Sequence, residues 1–145
     1  MDAESKPKPG YLWSMFHLKC PRCRRGDLFL HANPYRKIST DYVLGMYKEC
    51  PVCHQRFYLE PGFWFGTTYV SYAITVVFSG FTFLLWWLIL GFSLTDNRLT
   101  YWLIANGILI IVLLPVFMRL SRWIFLNLFV RYNENYDKEE GVKFG

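Results

Sequence analysis

The residues best equipped for chemistry are four cysteines in two Cys-Pro-x-Cys turns, Cys20-Pro21-Arg22-Cys23 and Cys50-Pro51-Val52-Cys53. They are all the cysteines of the chain. A C-x2-C turn offers both sulfurs to one ion at about 2.3 Å, and two such turns close a tetrahedron. The thiolate is the form that binds, and Lys19, Arg22, Arg24 and Arg25 beside the first turn favour it. Four cysteine ligands leave no open coordination position, so the pattern predicts structural Zn2+ rather than a catalytic metal.

Iron is the alternative metal, because paired Cys-Pro-x-Cys turns also occur in rubredoxins. Those turns are usually followed by Gly, whereas Arg24 and His54 follow here. Redox disulfides and unmetallated thiols are further options, although a reducing cytoplasm disfavours stable disulfides. His17, His31 and His54 lie near the turns as substitute ligands, as donors behind the ligands, or as plain polar neighbours. No Gly-rich phosphate loop, nucleophile elbow or pocket-like carboxylate pair is visible, so no enzyme is expected. Glu60 is the one acidic residue at the edge of the apolar region, with a helix-start or headgroup-level contact as its expected role.

The elements that position these cysteines follow from charge. In 145 residues, 20% are aromatic and 19% charged, and the apolar content is concentrated late. Residues 61–95 contain no Asp, Glu, Lys or Arg, and neither do Leu99–Met118. Twenty residues at about 1.5 Å rise cover roughly 30 Å, the thickness of a bilayer core. Two transmembrane helices are expected, over 69–92 and 99–118, joined by Thr95-Asp96-Asn97-Arg98 as an antiparallel hairpin. Met1–Gly10 has no apolar stretch, so the first span is expected to act as its own insertion signal. Ten of the 16 Lys and Arg precede Glu60, five follow Met118 and only Arg98 lies between. That asymmetry puts the turn outside and both termini in the cytoplasm. The net charge of +5 then reports topology and lipid attraction before nucleic acid.

Residues 1–9 read as a disordered tail. Residues 10–60 read as a cytoplasmic zinc-ribbon-like module with strands at 27–30, 42–47 and 57–59. About 40 residues bury too little surface to fold unaided, so metal would supply the missing stability. The aromatic stretch 10–19 either lies on the membrane or packs on that module. Residues 61–68, with Gly62, Phe63, Trp64, Phe65 and Gly66, form the membrane boundary. Residues 119–132 read as an interfacial helix with snorkelling Arg119, Arg122 and Arg131, or as a continuation of span two, and 133–145 as a loose polar tail. Ser71, Ala73, Thr75, Ser79, Gly80 and Thr82 on span one, and Asn106-Gly107 on span two, suit close helix packing inside the hairpin or against another membrane protein. No charged residue or His lies within either span, so an ion relay is not expected. Pro115 is expected to bend the last turns of span two without implying a gate.

The chain resembles the bacterial domain-of-unknown-function family numbered 983. The resemblance is carried by Lys19-Cys20-Pro21-Arg22-Cys23-Arg24-Arg25-Gly26-Asp27-Leu28-Phe29, by Cys50-Pro51-Val52-Cys53, and by the run from Glu60 to Ala73 (EPGFWFGTTYVSYA) ahead of two apolar spans. It covers about residues 10–120. The long insert between the knuckles and the aromatic-rich tail look like the form found in Bacteroidetes. The resemblance implies a small inner-membrane protein with a cytoplasmic zinc-ribbon-like head and no established activity. His54 stands where many relatives have Gly.

Three functions fit these features. The first is a non-enzymatic accessory or assembly subunit that docks another integral membrane protein. Arg22, Arg24 and Arg25 would be exposed charges of its head, and Gly62, Gly66, Tyr69, Tyr72 and Asn106 would contact partner or lipid. The second is a membrane-tethered redox or metallation factor. The third, less expected, is nucleic-acid or ribosome contact through the basic head. No small-molecule substrate is inferred.

Overall fold

The computed structural model describes residues 7–37, 39–58, 62–91 and 93–141. Glu60, expected at the start of span one, lies outside them, as do Leu59, Pro61, Phe92 and residues 1–6 and 142–145. Among the described residues four α-helices run in the order α1 (Tyr11–Phe16), α2 (Thr40–Val43), α3 (Gly66–Leu90) and α4 (Arg98–Phe129).

The chain enters α3 through a tight turn. Gly62 sits at φ +81, which a side chain would strain, and Phe63–Phe65 form a 3-10 turn. The Thr67 hydroxyl donates to the Trp64 carbonyl at the helix start. The 25 residues of α3 contain no proline or charge, and the helix stops where Gly91 takes φ +74. Arg98 reaches back to donate to the Leu90 carbonyl, one of the acceptors a helix end leaves open. Its 25 residues cover about 37 Å and the 32 of α4 about 48 Å.

Both helices are long and apolar enough to cross a membrane, and the most apolar stretch is unburied in α3 and only 11% buried in α4. A water-soluble fold of two such helices would hide that surface; here Val77, Leu88, Ile89 and Ile111 face outward. The hairpin is closed by aromatic pairs, Phe78 with Phe117 at 5.2 Å and Phe83 with Trp102 at 5.1 Å. A polar clasp joins them. Thr82 Oγ1 donates to Asn106 Oδ1 at 3.0 Å, and Asn106 Nδ2 donates to Ser79 Oγ at 3.2 Å. Asn106 therefore serves packing inside the hairpin, one of its two expected roles.

Of the two readings of 119–132, the structure has the continuation of span two rather than a separate interfacial helix. Residues 119–129 continue α4 without a break, and the helix runs through Pro115. Proline removes the N–H that would serve the Ile111 carbonyl. One residue on, the Val112 carbonyl accepts from the Tyr35 hydroxyl at 2.8 Å. Burial changes at the same place: Arg119, Trp123, Leu126 and Val130 are buried on the face that carries the cysteine module, and Phe117 and Ser121 are buried on other sides of the helix. Arg119 does not snorkel. It is 1% exposed and donates to the Val43, His31 and Ala32 carbonyls. Trp123 Nε1 donates to the Lys19 carbonyl at 2.7 Å, and Arg122 donates to the Leu44 carbonyl at 3.3 Å.

The cysteine module has no regular strand among the described residues, only isolated bridges Lys19↔Asp27, Phe29↔Met46 and Glu49↔Arg56. Tyr42 and Val43, expected in a strand, belong to α2. The aromatic stretch 10–19 packs on the module, one of its two expected places. Tyr11 meets Trp123 edge-on at 5.4 Å and Met15 packs on the core, while Leu12 and Phe16 stay exposed. The tail is docked rather than loose over 133–141, the part the structure describes: Asn133 N–H donates to the Arg22 carbonyl at 3.1 Å and Tyr136 packs against the core.

Candidate metal centre

Each knuckle is built the same way. The Arg24 N–H donates to the Cys20 carbonyl at 2.8 Å, and the His54 N–H to the Cys50 carbonyl at 3.0 Å. Both residues lie in the left-handed region, Arg24 at φ 56 and His54 at φ 54. This is why Gly suits the position after such a knuckle: a side chain there is strained. Arg24 offsets the strain by stacking its guanidinium over Tyr132 at 4.3 Å and Tyr11 at 5.5 Å, and by donating to the Pro9 carbonyl. His54 is exposed and has no comparable contact described.

The four sulfurs lie within 4.8 Å of one another, and all four cysteines are buried. Cys20 Sγ is 3.7 Å from Cys53 Sγ, and Cys23 Sγ is 3.7 Å from Cys50 Sγ. Disulfide sulfurs sit about 2.05 Å apart. A tetrahedron with about 2.3 Å metal–sulfur bonds has edges of roughly 3.8 Å. The spacing is that of a metal site, and it joins the two knuckles to each other. Backbone N–H groups approach two sulfurs: Gly26 N to Cys23 Sγ and Val52 N to Cys50 Sγ, both at 3.5 Å.

Crowding splits the acidities of the thiols. Hydrogen bonds from Cys20 lead in holding Cys23 below the ordinary thiol range and Cys50 at about 7. Cys20 is pushed up, chiefly by its hydrogen bond with Cys23. The four cannot all ionise side by side without a cation, and a divalent ion replaces the protons they would otherwise keep. Four buried sulfurs could therefore bind a metal ion, and they complete its coordination with protein atoms alone.

The histidines stay out of this group; among the described residues only the four cysteines cluster as ligands. His17 bonds the Trp13 carbonyl through Nδ1 and stacks on the Trp13 ring, and His31 stacks on Tyr42 at 4.1 Å.

Arg22 is a correction. Expected as an exposed charge, it is 2% exposed, because its side chain ties the C-terminal tail to the second knuckle. It donates to the Glu140 carbonyl at 3.0 Å, to the Glu139 carbonyl and to the Cys53 carbonyl. Arg24 and Arg25 are half-buried. Tyr69 and Tyr72 are exposed on the first turns of α3, at 79% and 72%. Gly62 and Gly66 have reasons inside the molecule. Gly62 makes the left-handed turn, and a Cβ on Gly66 would overlap the Phe125 ring.

Three residues that matter were not singled out for this site. A Cβ on Gly26 would overlap Cys50 Sγ, so Gly26 lets the knuckles meet. Arg119 and Trp123 fasten the module to α4. Gly26 stood inside the Cys-Arg-Arg-Gly-Asp string, and its spacing from Cys23 was the available signal. No family model, curated protein or solved structure matches the chain. The resemblance to family 983 is thus an expectation carried by the motif residues.

Proposed function

We propose that the protein is a non-enzymatic accessory or assembly subunit of the bacterial inner membrane. In this reading the hairpin spans the bilayer, both termini are cytoplasmic, and a zinc-ribbon-like head holds Zn2+ through Cys20, Cys23, Cys50 and Cys53. The observation that carries it is the closed, buried cysteine cluster: four sulfurs complete the coordination, leaving no position where a substrate could be activated. A metal used this way makes a rigid body out of a small module.

The head is also rigidly borne, because α4 continues into it. A partner that engages the exposed side of α3 near Tyr69 and Tyr72 would meet head and hairpin as one surface. The test is purification from the native membrane in mild detergent, followed by mass spectrometry of the intact complex. A stoichiometric integral membrane partner is expected. Recovery of the chain alone, with metal and lipid only, would overturn the subunit reading.

One observation favours a second reading, a tethered iron redox carrier. Pro51, Val52 and His54 are exposed, so the second knuckle reaches the surface where electrons could be exchanged. Ferric tetrathiolate absorbs visible light and zinc does not; a colourless protein with one zinc per chain disposes of it.

A further inference from the structure

One buried cation is left over after the head is assembled. Arg119 directs Nε to the Val43 carbonyl at 2.8 Å and Nη1 to the His31 and Ala32 carbonyls at 2.7 and 3.2 Å. Its Nη2 is buried and meets no hydrogen-bond partner among the described residues. Among the described residues no Asp or Glu pairs with it. Phe29 stacks against the guanidinium at 4.8 Å, which shields the charge without neutralising it. A buried guanidinium with an idle N–H group is costly unless an anion completes it.

Arg119 also lines a cavity of about 210 Å³. It is lined by Arg119, His17, His31, Phe16, Phe29 and Asp27, among others. The one carboxylate there, Asp27, is already paired with Lys19. The space admits a phosphate group with its immediate substituents and excludes a whole lipid. Two further facts bear on what carries the phosphate. Arg119 directly follows the uncharged run Leu99–Met118, which puts the cavity at headgroup depth. Phe16 on its rim and Leu12 one turn away are 77% and 65% exposed, apolar surface that acyl chains would cover.

We propose that this cavity binds one phosphate group through Arg119 and that the phosphate belongs to an anionic phospholipid. The guanidinium suits that ligand, since its planar N–H groups match phosphate oxygens. The site is separate from the metal centre and does not depend on the subunit reading. Its lipid source, though not its anion chemistry, rests on the hairpin crossing a bilayer.

The test uses the full chain in nanodiscs of equal phosphatidylglycerol and phosphatidylcholine, then counts lipids retained after release by native mass spectrometry. Wild type should keep one phosphatidylglycerol. Arg119→Gln should lower its retention roughly tenfold, the worth of one charge-assisted hydrogen bond. Because Arg119 also fastens the head, Ala32→Phe is the second variant: it fills the cavity and leaves the Ala32 carbonyl in place. It should lose the lipid with full metal content. Inorganic phosphate is added to detergent-purified protein in a parallel arm, read by phosphorus NMR line broadening. Phosphate binding that needs Arg119, with no lipid retained, would keep the anion site and overturn the lipid source. Equal retention in wild type and Ala32→Phe, or no binding in either arm, would overturn the site itself.

Discussion

Trp123→Phe tests whether the metal module is fastened to α4 as described. Trp123 is 1% exposed, sits in the core with Cys20 and Leu28, and donates its indole N–H to the Lys19 carbonyl at 2.7 Å. Phenylalanine keeps an aromatic ring but cannot donate. The buried carbonyl then loses its donor, at a cost of about 1–2 kcal/mol, and the smaller ring leaves a void, so the total should be about 2 kcal/mol. Trp123→Ala should cost about 4–5 kcal/mol, since the whole ring and the bond both go. Trp102→Phe is the matched control. Trp102 packs edge-on against Phe83 on the hairpin, but its indole N–H has no partner among the described residues, so the same exchange removes no hydrogen bond described there. Urea unfolding of the head in detergent, followed by protease sensitivity with metal bound, measures the difference. If Trp123→Phe lies within about 0.5 kcal/mol of Trp102→Phe, the indole bond does not hold the head and the argument fails.

Other substitutions probe the remaining joints. Cys20→Ser should strip the metal and open the head to protease while both long helices stay inserted; full metal content in this variant would rule out the four-cysteine site. Gly26→Ala should push Cys50 Sγ off the tetrahedron and lower metal affinity by roughly 100-fold, about 3 kcal/mol, in competition with a coloured chelator. Gly80→Ala, where an added Cβ meets nothing within 4 Å, should leave metal binding unchanged. His54→Gly should stabilise the metal-bound head by about 0.5–1 kcal/mol by relieving the left-handed backbone; no gain in chelator resistance would mean that the strain is compensated elsewhere. Asn106→Ala should cost about 0.6–1.7 kcal/mol of hairpin stability in detergent titration, because Ser79 and Thr82 lose their partner.

The cysteine cluster was legible because ligand chemistry fixes residue type and spacing together. Cys20, Cys23, Cys50 and Cys53 needed no knowledge of the intervening 26 residues. The apolar helices were legible because absence of charge over a bilayer's thickness is a one-dimensional signal. The head's internal structure was not. Alternation at Tyr42–Tyr47 suggested a strand, but a short helix forms over Thr40–Val43, in a module whose only sheet pairing among the described residues is three isolated bridges. Arg22 was read as exposed because charge ordinarily is, and only the folded tail supplies the Glu139 and Glu140 carbonyls that let it be buried.

For 119–132 the charges alone do not separate an interfacial helix from a continuation of span two. Arg119, Arg122 and Arg131 do not share a helical face, so the segment looked like a surface helix with scattered cations. The face that matters is Arg119, Trp123, Leu126 and Val130, at spacings of four, three and four, and all are buried. One arginine belongs to that face because the module offers it three carbonyls. The consequence is mechanical. A separate interfacial helix would let the head swing on a hinge, whereas a single helix from Arg98 to Phe129 transmits rotation or tilt of the hairpin directly to the cysteine cluster. Arg119 stands where the uncharged run ends and the head begins, so whatever satisfies its last N–H group acts on both. A metal held by the cysteines, which pack with Trp123, and an anion held by Arg119 would then brace this one helix at two places.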